Sequence, residues 1–235
     1  MIEIRGLSKK FKKNEVLSGL DLVIDKAGIF AILGPNGSGK TTLIKAILGM
    51  VIPDAGEIKV ADSNIKNSPD YRQKIDYLPQ IANFPDNLKV RELIAMIQDL
   101  RGDSIEANNL IDRFDLHPFM DKKLVNLSGG TKQKVNILLT FMIDSPILIL
   151  DEPTTGLDPL ALIQLKDLIQ EKKHAGKTIL ITSHIMSFVE EMTDEVVFLL
   201  EGKIRFKGLI QKLKQDTNQN DLEHAIAVLL EESHV

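Results

Sequence analysis

The sequence predicts an α/β protein with a largely parallel, buried sheet, and three observations lead to this prediction. Short runs of β-branched and leucine residues alternate with longer stretches in which apolar residues recur every three or four positions. Two of the short runs, 147–150 and 178–182, have the composition expected of strands that helices cover on both faces. Both runs end at polar residues, and open α/β sheets bind ligands at the carboxyl ends of their strands.

The first part of the chain predicts an antiparallel layer at the edge of this sheet. The alternating runs at 2–5, 20–24 and 58–61 are separated by glycines and charged turns, as in partly exposed strands. The apolar run 29–33 predicts a core strand, and the stretch 42–48 after it predicts a helix.

The middle of the chain predicts a helical insert, because no strand pattern occurs between about residues 86 and 145. Helical spacing of apolar residues is found at 90–100, 105–114 and 132–142. Further on, the run 196–200 and the segment 204–207 predict a hairpin, and a last helix is expected near 222–230.

Length, charge and composition exclude several classes of protein. The chain has 235 residues and a formal charge of −4, which suits one domain with a shared core. It contains no cysteine, so disulfides, cysteine-based zinc or iron–sulfur sites and thiol nucleophiles are excluded. With nine Phe, two Tyr and a slight acidic excess, nucleic acid is not an expected partner, although the lysines at 9, 10, 12 and 13 leave a local basic patch open.

We expect a cytoplasmic chain that does not itself cross a membrane. No apolar stretch approaches the ~18 to 20 residues of a membrane span. The N-terminus reaches a charge at Glu3 and has no apolar region of the kind found in secretory signals.

A phosphate-binding loop follows the strand predicted at 29–33. The residues Gly34, Pro35, Asn36, Gly37, Ser38, Gly39, Lys40 and Thr41 match the pattern G-x-x-x-x-G-K-[ST], and Thr42 continues into the predicted helix. The glycines allow backbone N–H groups to surround phosphate oxygens, and the helix N-terminus favours negative charge. We therefore predict that residues 34–42 bind the nucleotide, that Lys40 neutralises its phosphates and that Thr41 offers its hydroxyl to Mg²⁺. A merely flexible turn is the alternative.

A second predicted site is the acidic pair at the end of the 147–150 strand. A charged pair where a buried strand meets the ligand edge needs a partner, and Mg²⁺ is a suitable one. We predict that Asp151 binds the metal that bridges the phosphates, and that Glu152 orients or deprotonates the attacking water. The alternative is a solvated acidic turn that opens the helix after Pro159.

The segment 127–130 predicts a second anion site. Ser128 is a suitable helix N-cap, and Gly129 and Gly130 leave backbone N–H groups accessible. The helical insert makes it doubtful that both anion sites meet on one nucleotide within one chain. Two chains that face each other would bring them together.

The order of these motifs, with Gln80, the segment 156–158 and His184 added, resembles the nucleotide-binding subunit of ABC transporters over nearly the whole chain. The resemblance implies a P-loop NTPase fold with a RecA-like core, an antiparallel β edge layer and a helical ABC subdomain. It implies a homodimer that holds two ATP head to tail, in which Ser128, Gly129 and Gly130 of one subunit complete the phosphate loop of the other.

The same resemblance assigns four further positions. Gln80 resembles the glutamine that contacts Mg²⁺ or water and senses the membrane partner, and His184 resembles the histidine that touches the γ-phosphate. Asp158 resembles the aspartate that links the two sites across the dimer, although it also suits an N-cap of the following helix. Phe11 occupies the place of the ring that stacks on adenine, with core packing as its alternative.

One position departs from the family pattern. Thr131 stands where the signature usually has Gln, so a shorter side chain reaches toward the partner. Residues 127–134 also resemble the ATPases that act in copper-site maturation of nitrous oxide reductase.

The resemblance implies an ATP-hydrolysing subunit that drives a separate integral membrane permease, with 1–85 and 146–210 as nucleotide-binding core, 86–145 as helical signature subdomain and 211–235 as helical tail. We expect the permease to dock near Gln80, which places the chain at the inner face of the cell membrane. An exporter is favoured, although the residues reveal no cargo and leave import open. The alternatives are a soluble ABC-class ATPase of nucleic-acid or ribosome processes, and a nucleotide sensor that does not hydrolyse ATP.

Overall fold

The computed structural model describes residues 1–101 and 107–231, and the strands of these residues form two sheets. The strands are β1 (Ile2–Phe11), β2 (Asn14–Ile24), β3 (Gly28–Leu33), β4 (Ala55–Val60), β5 (Ser63–Asn64), β6 (Ile75–Leu78), β7 (Ile147–Asp151), β8 (Thr178–Thr182), β9 (Glu195–Leu200) and β10 (Lys203–Leu209). The helices are α1 (Lys40–Ile47), α2 (Val90–Arg101), α3 (Ala107–Arg113), α4 (Gly129–Phe141), α5 (Pro159–His174), α6 (Met186–Met192), α7 (Ile210–Asp216) and α8 (Leu222–Glu231). Short 3₁₀ turns occupy Pro69–Lys74, His117–Phe119 and Leu124–Asn126.

The larger sheet is the predicted buried sheet. Its order is β10-β9-β3-β8-β7-β6, in which only the edge strand β10 runs antiparallel to its neighbour. Every residue of β3, β7 and β8 is buried, which explains why these strands are apolar except for polar residues at the ends of β7 and β8. The register pairs Asp151 at the end of β7 with Thr182 at the end of β8, so the polar strand ends meet at one edge.

The smaller sheet is the predicted antiparallel layer, with the order β2-β1-β4-β5. Its apolar residues share one core cluster with α1 and with one face of the larger sheet, including Phe30, Ile147 and Leu180. The alternate residues of the same core strands, such as Leu148 and Ile181, face a second cluster built from α2 to α6. Successive residues of a core strand thus pack on opposite sides of the larger sheet, one set in each cluster.

Three elements differ from the sequence prediction. Strand β6 at the sheet edge was not predicted, because Asp76 interrupts its apolar residues. The short helices α6 and α7 were also missed, since the segments before β9 and after β10 lack a long periodic pattern. The predicted helix at 105–114 corresponds to α3, and its first two residues lie outside the described part of the chain.

Helices α7 and α8 cover the sheet beside β9. Leu213, Leu222 and Ala225 pack with Val196 and Phe198 in a third core cluster. The described part of the C-terminal segment therefore packs on the core of its own chain. No helix of residues 1–101 and 107–231 is long and apolar enough to span a membrane.

An ion pair to a buried carboxylate joins the helical region to the core. Arg101, the last residue of α2, donates through Nη2 to Asp76 Oδ1 at 2.6 Å and to Ser145 Oγ at 3.1 Å. The Ser145 amide donates to the other Asp76 oxygen at 3.1 Å. Burial raises the pKa of Asp76, while Ser145 and Arg101 oppose this rise. The buried carboxylate of Asp76 thus depends for its counter-charge on Arg101, which belongs to α2 of the helical region.

Candidate active site

The phosphate loop lies between β3 and α1, and two of its glycines are required by close approaches of the backbone. A Cβ on Gly34 would lie 2.0 Å from the Leu199 carbonyl oxygen, and one on Gly39 would lie 2.8 Å from the Val16 oxygen. Gly39 also has φ +108° where it begins α1. Only glycine fits a loop that must turn in so little space before a helix.

The Lys40 side chain folds back onto the first residues of this loop. Its ammonium donates to the Gly34 oxygen at 2.7 Å and to the Pro35 oxygen at 3.0 Å. Burial lowers the pKa of Lys40, while the charges of Glu152 and Asp151 raise it. The carbonyl groups of the loop and the charges of the acidic pair thus hold the Lys40 ammonium beside the region that phosphates would enter.

The Asp151 carboxylate is contacted by two hydroxyl groups from the strands on either side of β7. Thr182 Oγ1 donates to Asp151 Oδ1 at 2.5 Å, and the Tyr77 hydroxyl lies 3.5 Å from Oδ2. Burial raises the pKa of Tyr77 to about 12, and the nearby Asp151 acts in the same direction. Oδ2 therefore has only one distant donor among the described residues.

Glu152 adopts a left-handed backbone conformation with φ +50°. Its amide donates to Thr182 Oγ1 at 3.1 Å, and its Oε2 accepts from the His184 amide at 3.4 Å. His184 Nε2 approaches Oε1 at 3.2 Å without hydrogen-bond alignment, so the buried Oε1 has no hydrogen-bond donor among the described residues. Burial raises the pKa of Glu152, which His184 opposes.

One cavity of about 280 Å³ brings most of the predicted site residues together. Its predicted members come from the phosphate loop, the β6 end, the acidic pair and the β8 end: Asn36, Gly37, Gly39, Lys40, Thr41, Thr42, Gln80, Asp151, Glu152 and His184. Asn14, Val16 and Thr182 complete the lining and were missed by the sequence analysis. Thr182 could have been suspected from the sequence, since it ends a core strand at the edge where ligands bind. Asn14 and Val16 have no such feature, and only the tertiary fold brings them to the cavity.

Phe11 lies at the end of β1 and does not line this cavity. Its side chain is 47% exposed, with Lys9 Nζ 5.3 Å from the ring centroid. The alternative of core packing is therefore wrong. An exposed ring close in sequence to the cavity residues Asn14 and Val16 remains accessible to a ligand.

The predicted second anion site lies outside the cavity. Ser128 caps α4, accepting from the Thr131 amide at 3.2 Å, and the Ser128 and Thr131 hydroxyls are 2.8 Å apart. Gly129 has open space around it, whereas a Cβ on Gly130 would lie 2.8 Å from the Gly156 oxygen. Within one chain this segment does not reach the phosphate loop, as the sequence analysis expected.

Asp158 also lies outside the cavity and has two contacts. Its Oδ1 accepts from the Ala161 amide at 2.8 Å, which caps α5, and its Oδ2 lies 2.7 Å from Lys134 Nζ. The predicted N-cap is confirmed. The Lys134 contact additionally joins α4 to the segment that follows Glu152.

An apolar groove lies on the other side of β6. It has a volume of about 350 Å³, and Met50, Ile97, Leu139 and Ile143 supply much of its apolar surface. Tyr77 lines this groove, and its hydroxyl approaches Asp151.

The residues of the cavity fit a magnesium nucleotide. The buried Oε1 of Glu152, a cavity residue, has no hydrogen-bond partner among the described residues, which leaves it available to a ligand. The buried Oγ of Ser38, in the phosphate loop but not in the cavity lining, has no such partner either. No cluster of three or more His, Cys, Asp or Glu side chains occurs in the described part of the chain. Mg²⁺ needs no such cluster, because it is commonly bound by one or two carboxylates, phosphates and water. Fold and site thus define a phosphate-loop nucleotide-binding protein.

Comparisons with known proteins identify the family. A family model described as "ABC transporter" matches residues 17–155. The chain is 32% identical to the daunorubicin/doxorubicin resistance ATP-binding protein of Streptomyces peucetius, over 94% of this chain and 69% of that protein. It is 34% identical to the Nod factor export ATP-binding protein I of Burkholderia lata, over 86% of this chain and 68% of that protein. It is also 32% identical to the L-cystine import ATP-binding protein of Bacillus subtilis, over 88% and 90% of the two chains.

Solved structures have the same fold. An ATP-binding subunit of an ABC transporter superposes with a TM-score of 0.92 at 29% identity, covering 98% of this chain and 99% of that chain. A dimeric ATP-binding cassette in a post-hydrolysis state with ADP and Pi superposes with a TM-score of 0.80 at 22% identity, covering 89% and 98% of the two chains.

The chain belongs to the ABC transporter family, as an ATP-binding subunit with the ATPase activity of that class. The predicted fold is confirmed.

Proposed function

We propose that this chain hydrolyses ATP as a homodimer and thereby drives a separate integral membrane permease of exporter type. The observation that supports the proposal most strongly is the single cavity that contains Lys40, Asp151, Glu152 and His184. A nucleotide sensor without hydrolysis would be expected to lack one of these groups, and the cavity lacks none.

The proposed reaction is the in-line attack of water on the γ-phosphate of ATP. Glu152 accepts the proton of the water through Oε1, and its raised pKa suits a general base. Lys40 exchanges its contacts to the loop carbonyls for the β- and γ-phosphates, and His184 contacts the γ-phosphate. Thr41, Gln80 and Asp151 would hold Mg²⁺, which supplies neutralisation of the phosphate charge when bound.

The proposed homodimer accounts for the segment 128–130, which lies outside its own cavity. Ser128 and Gly129 are exposed at the start of α4, so they are accessible to the nucleotide of a second chain. Asp158, beside α4 through Lys134, would lie at the same interface. Phe11 would stack on adenine from its exposed position.

The apolar groove beside β6 is the proposed docking site for the permease. It opens between α2, α4 and the segment after α1, close to the strand that leads to Gln80. The proposal places the chain in the cytoplasm, at the inner face of the membrane. Export is favoured by the relatives named for drug resistance and Nod factor export, against the relative named for import. The resemblance to nitrous oxide reductase maturation is supported by none of these relatives and stays a prediction.

The test uses the variant Glu152→Gln, which should bind ATP and not hydrolyse it. We expect this variant to become a dimer with ATP and Mg²⁺ in size-exclusion chromatography, and to retain a polytopic membrane protein when purified from mildly solubilised cells. Glu201→Gln is the matched control, since Glu201 is exposed on a turn, and it should behave as the wild type.

Two outcomes would contradict the proposal. Steady ATP hydrolysis by Glu152→Gln would refute the assigned base. Co-purification of only soluble or ribosomal partners would refute the transporter role and favour the soluble ABC-class alternative.

A further inference from the structure

Thr182 makes contacts to both acidic residues of the site. Its hydroxyl donates to Asp151 Oδ1 at 2.5 Å and accepts from the Glu152 amide at 3.1 Å. The residue is 2% exposed, so water does not compete for these hydrogen bonds. One hydroxyl therefore fixes the orientation of a carboxylate and the backbone of the residue after it.

The backbone of Thr182 adds a third contact in the same place. The Glu152 amide also lies 3.2 Å from the Thr182 carbonyl oxygen, within the β7–β8 register that pairs Asp151 with Thr182. A non-glycine residue at φ +50°, such as Glu152, must be held by its surroundings. The amide keeps this backbone contact when the hydroxyl is removed, so the fold does not depend on the hydroxyl alone.

The hydroxyl also makes the two oxygens of Asp151 unequal. Thr182 occupies Oδ1 at short distance, whereas Oδ2 has only the Tyr77 hydroxyl at 3.5 Å. A carboxylate fixed through one oxygen presents the other in a defined direction, as outer hydrogen bonds do for metal ligands in general.

We propose that Thr182 is a positioning residue that directs Asp151 Oδ2 toward the divalent cation of the bound nucleotide and holds Glu152 in its catalytic orientation. This inference rests on the proposed function, because it takes Asp151 as the metal carboxylate. On this proposal, the preference for a nucleotide with bound metal depends in part on the hydroxyl of Thr182. This residue belongs neither to the phosphate-loop pattern nor to the acidic pair.

The experiment compares Thr182→Val with Thr182→Ser and with the matched control Thr178→Val. Thr178 lies on the same strand, is also buried, and donates its hydroxyl to the Lys26 oxygen at 3.2 Å, at the other end of the strand. The probe is Mn²⁺, titrated with a non-hydrolysable ATP analogue and followed by electron paramagnetic resonance. Binding of the analogue alone is measured in EDTA.

We expect Thr182→Val to weaken Mn²⁺ binding in the nucleotide complex by about 10- to 100-fold, the usual effect of losing an outer hydrogen bond to a metal ligand. Binding of the analogue without metal should change less than about 3-fold, because the phosphate loop is untouched. Thr182→Ser should restore Mn²⁺ binding, and Thr178→Val should leave it unchanged.

Equal Mn²⁺ affinity in Thr182→Val and wild type would overturn the inference while leaving the proposed function intact. Parallel loss of metal-bound and metal-free nucleotide would also overturn it, since it indicates a structural role. Failure of the wild type to bind Mn²⁺ with the analogue would instead refute the proposed function. If Thr182→Val does not fold, Thr182→Ala removes the same hydroxyl with less volume, and the same outcomes apply.

Discussion

The ion pair between the partly exposed Arg101 and the buried Asp76 allows a prediction whose size and pH dependence both follow from the structure. Replacement Arg101→Met keeps the aliphatic stem that lines the groove and removes the guanidinium from Asp76 Oδ1. The Asp76 side chain is only 3% exposed, so it remains buried with the Ser145 amide as its main donor.

The expected loss in free energy of unfolding is about 3 kcal/mol at pH 8. Removing one partner of a buried pair costs about 3–5 kcal/mol, and the lower end applies because Arg101 is 27% exposed and Ser145 still donates. Asp76→Asn combined with Arg101→Met should recover most of this loss, because no buried charge remains.

The loss should decrease as the pH falls. Burial raises the pKa of Asp76 in the folded state, and removal of Arg101 raises that pKa further. Between the unfolded carboxyl pKa of about 3.9 and the folded pKa, the folded chain binds more protons than the unfolded chain. Stability therefore falls as pH rises through this window, and the deficit of the variant is greatest above it.

The assay is urea unfolding followed by circular dichroism at pH 5, 6, 7 and 8, since the chain has no tryptophan. Arg113→Met is the matched control: its partner Glu171 is 59% exposed, so a loss of about 1 kcal/mol or less, independent of pH, is expected. A deficit for Arg101→Met that is the same at pH 5 and pH 8, or no larger than that of the control, would refute the reasoning.

Three further predictions, two of them with a control variant, have defined outcomes. Gly34→Ala places a methyl 2.0 Å from a backbone oxygen of β9 and should lower the free energy of unfolding by about 3 kcal/mol or more in urea titration; a soluble variant of wild-type stability would contradict the geometry. Asp158→Ala should cost about 1 kcal/mol by loss of the α5 cap, whereas Asp158→Asn keeps the cap and should cost less than about half of that; equal losses would assign the effect to Lys134. Leu222→Ala should cost about 2–3 kcal/mol because Leu222 is fully buried, and the exposed Leu209→Ala should be neutral in the same thermal and urea assays.

Much of the core sheet was predictable, because a strand buried on both faces appears in the sequence as a short run of apolar residues. Strands β7 and β8 are continuous apolar runs, and the phosphate loop follows β3 at a fixed spacing. Strand β6 was not predictable, because its Asp76 is neutralised by Arg101 from α2 and no local pattern reveals a partner 25 positions away. Helices α6 and α7 are too short for their spacing to be distinctive.

Some residues of the candidate site were also predictable from the sequence, whereas others were not. Lys40, Asp151 and Glu152 belong to motifs that combine charge with the end of a strand, so their meeting in one cavity could be expected. The position of Thr182 at the end of a core strand was visible in the sequence, but its contacts to Asp151 and Glu152 were not predictable, because they depend on the register between β7 and β8. Asn14 and Val16 reach the cavity only because the antiparallel layer folds over the phosphate loop, which is a tertiary relationship.

Tyr77 connects the groove to the candidate nucleotide cavity, because it lines the groove and its hydroxyl approaches Asp151, which lines the cavity. The two oxygens, Tyr77 Oη and Asp151 Oδ2, are 3.5 Å apart. A partner that contacts Tyr77 in the groove would therefore touch a residue that itself contacts one of the two acidic residues of the candidate site.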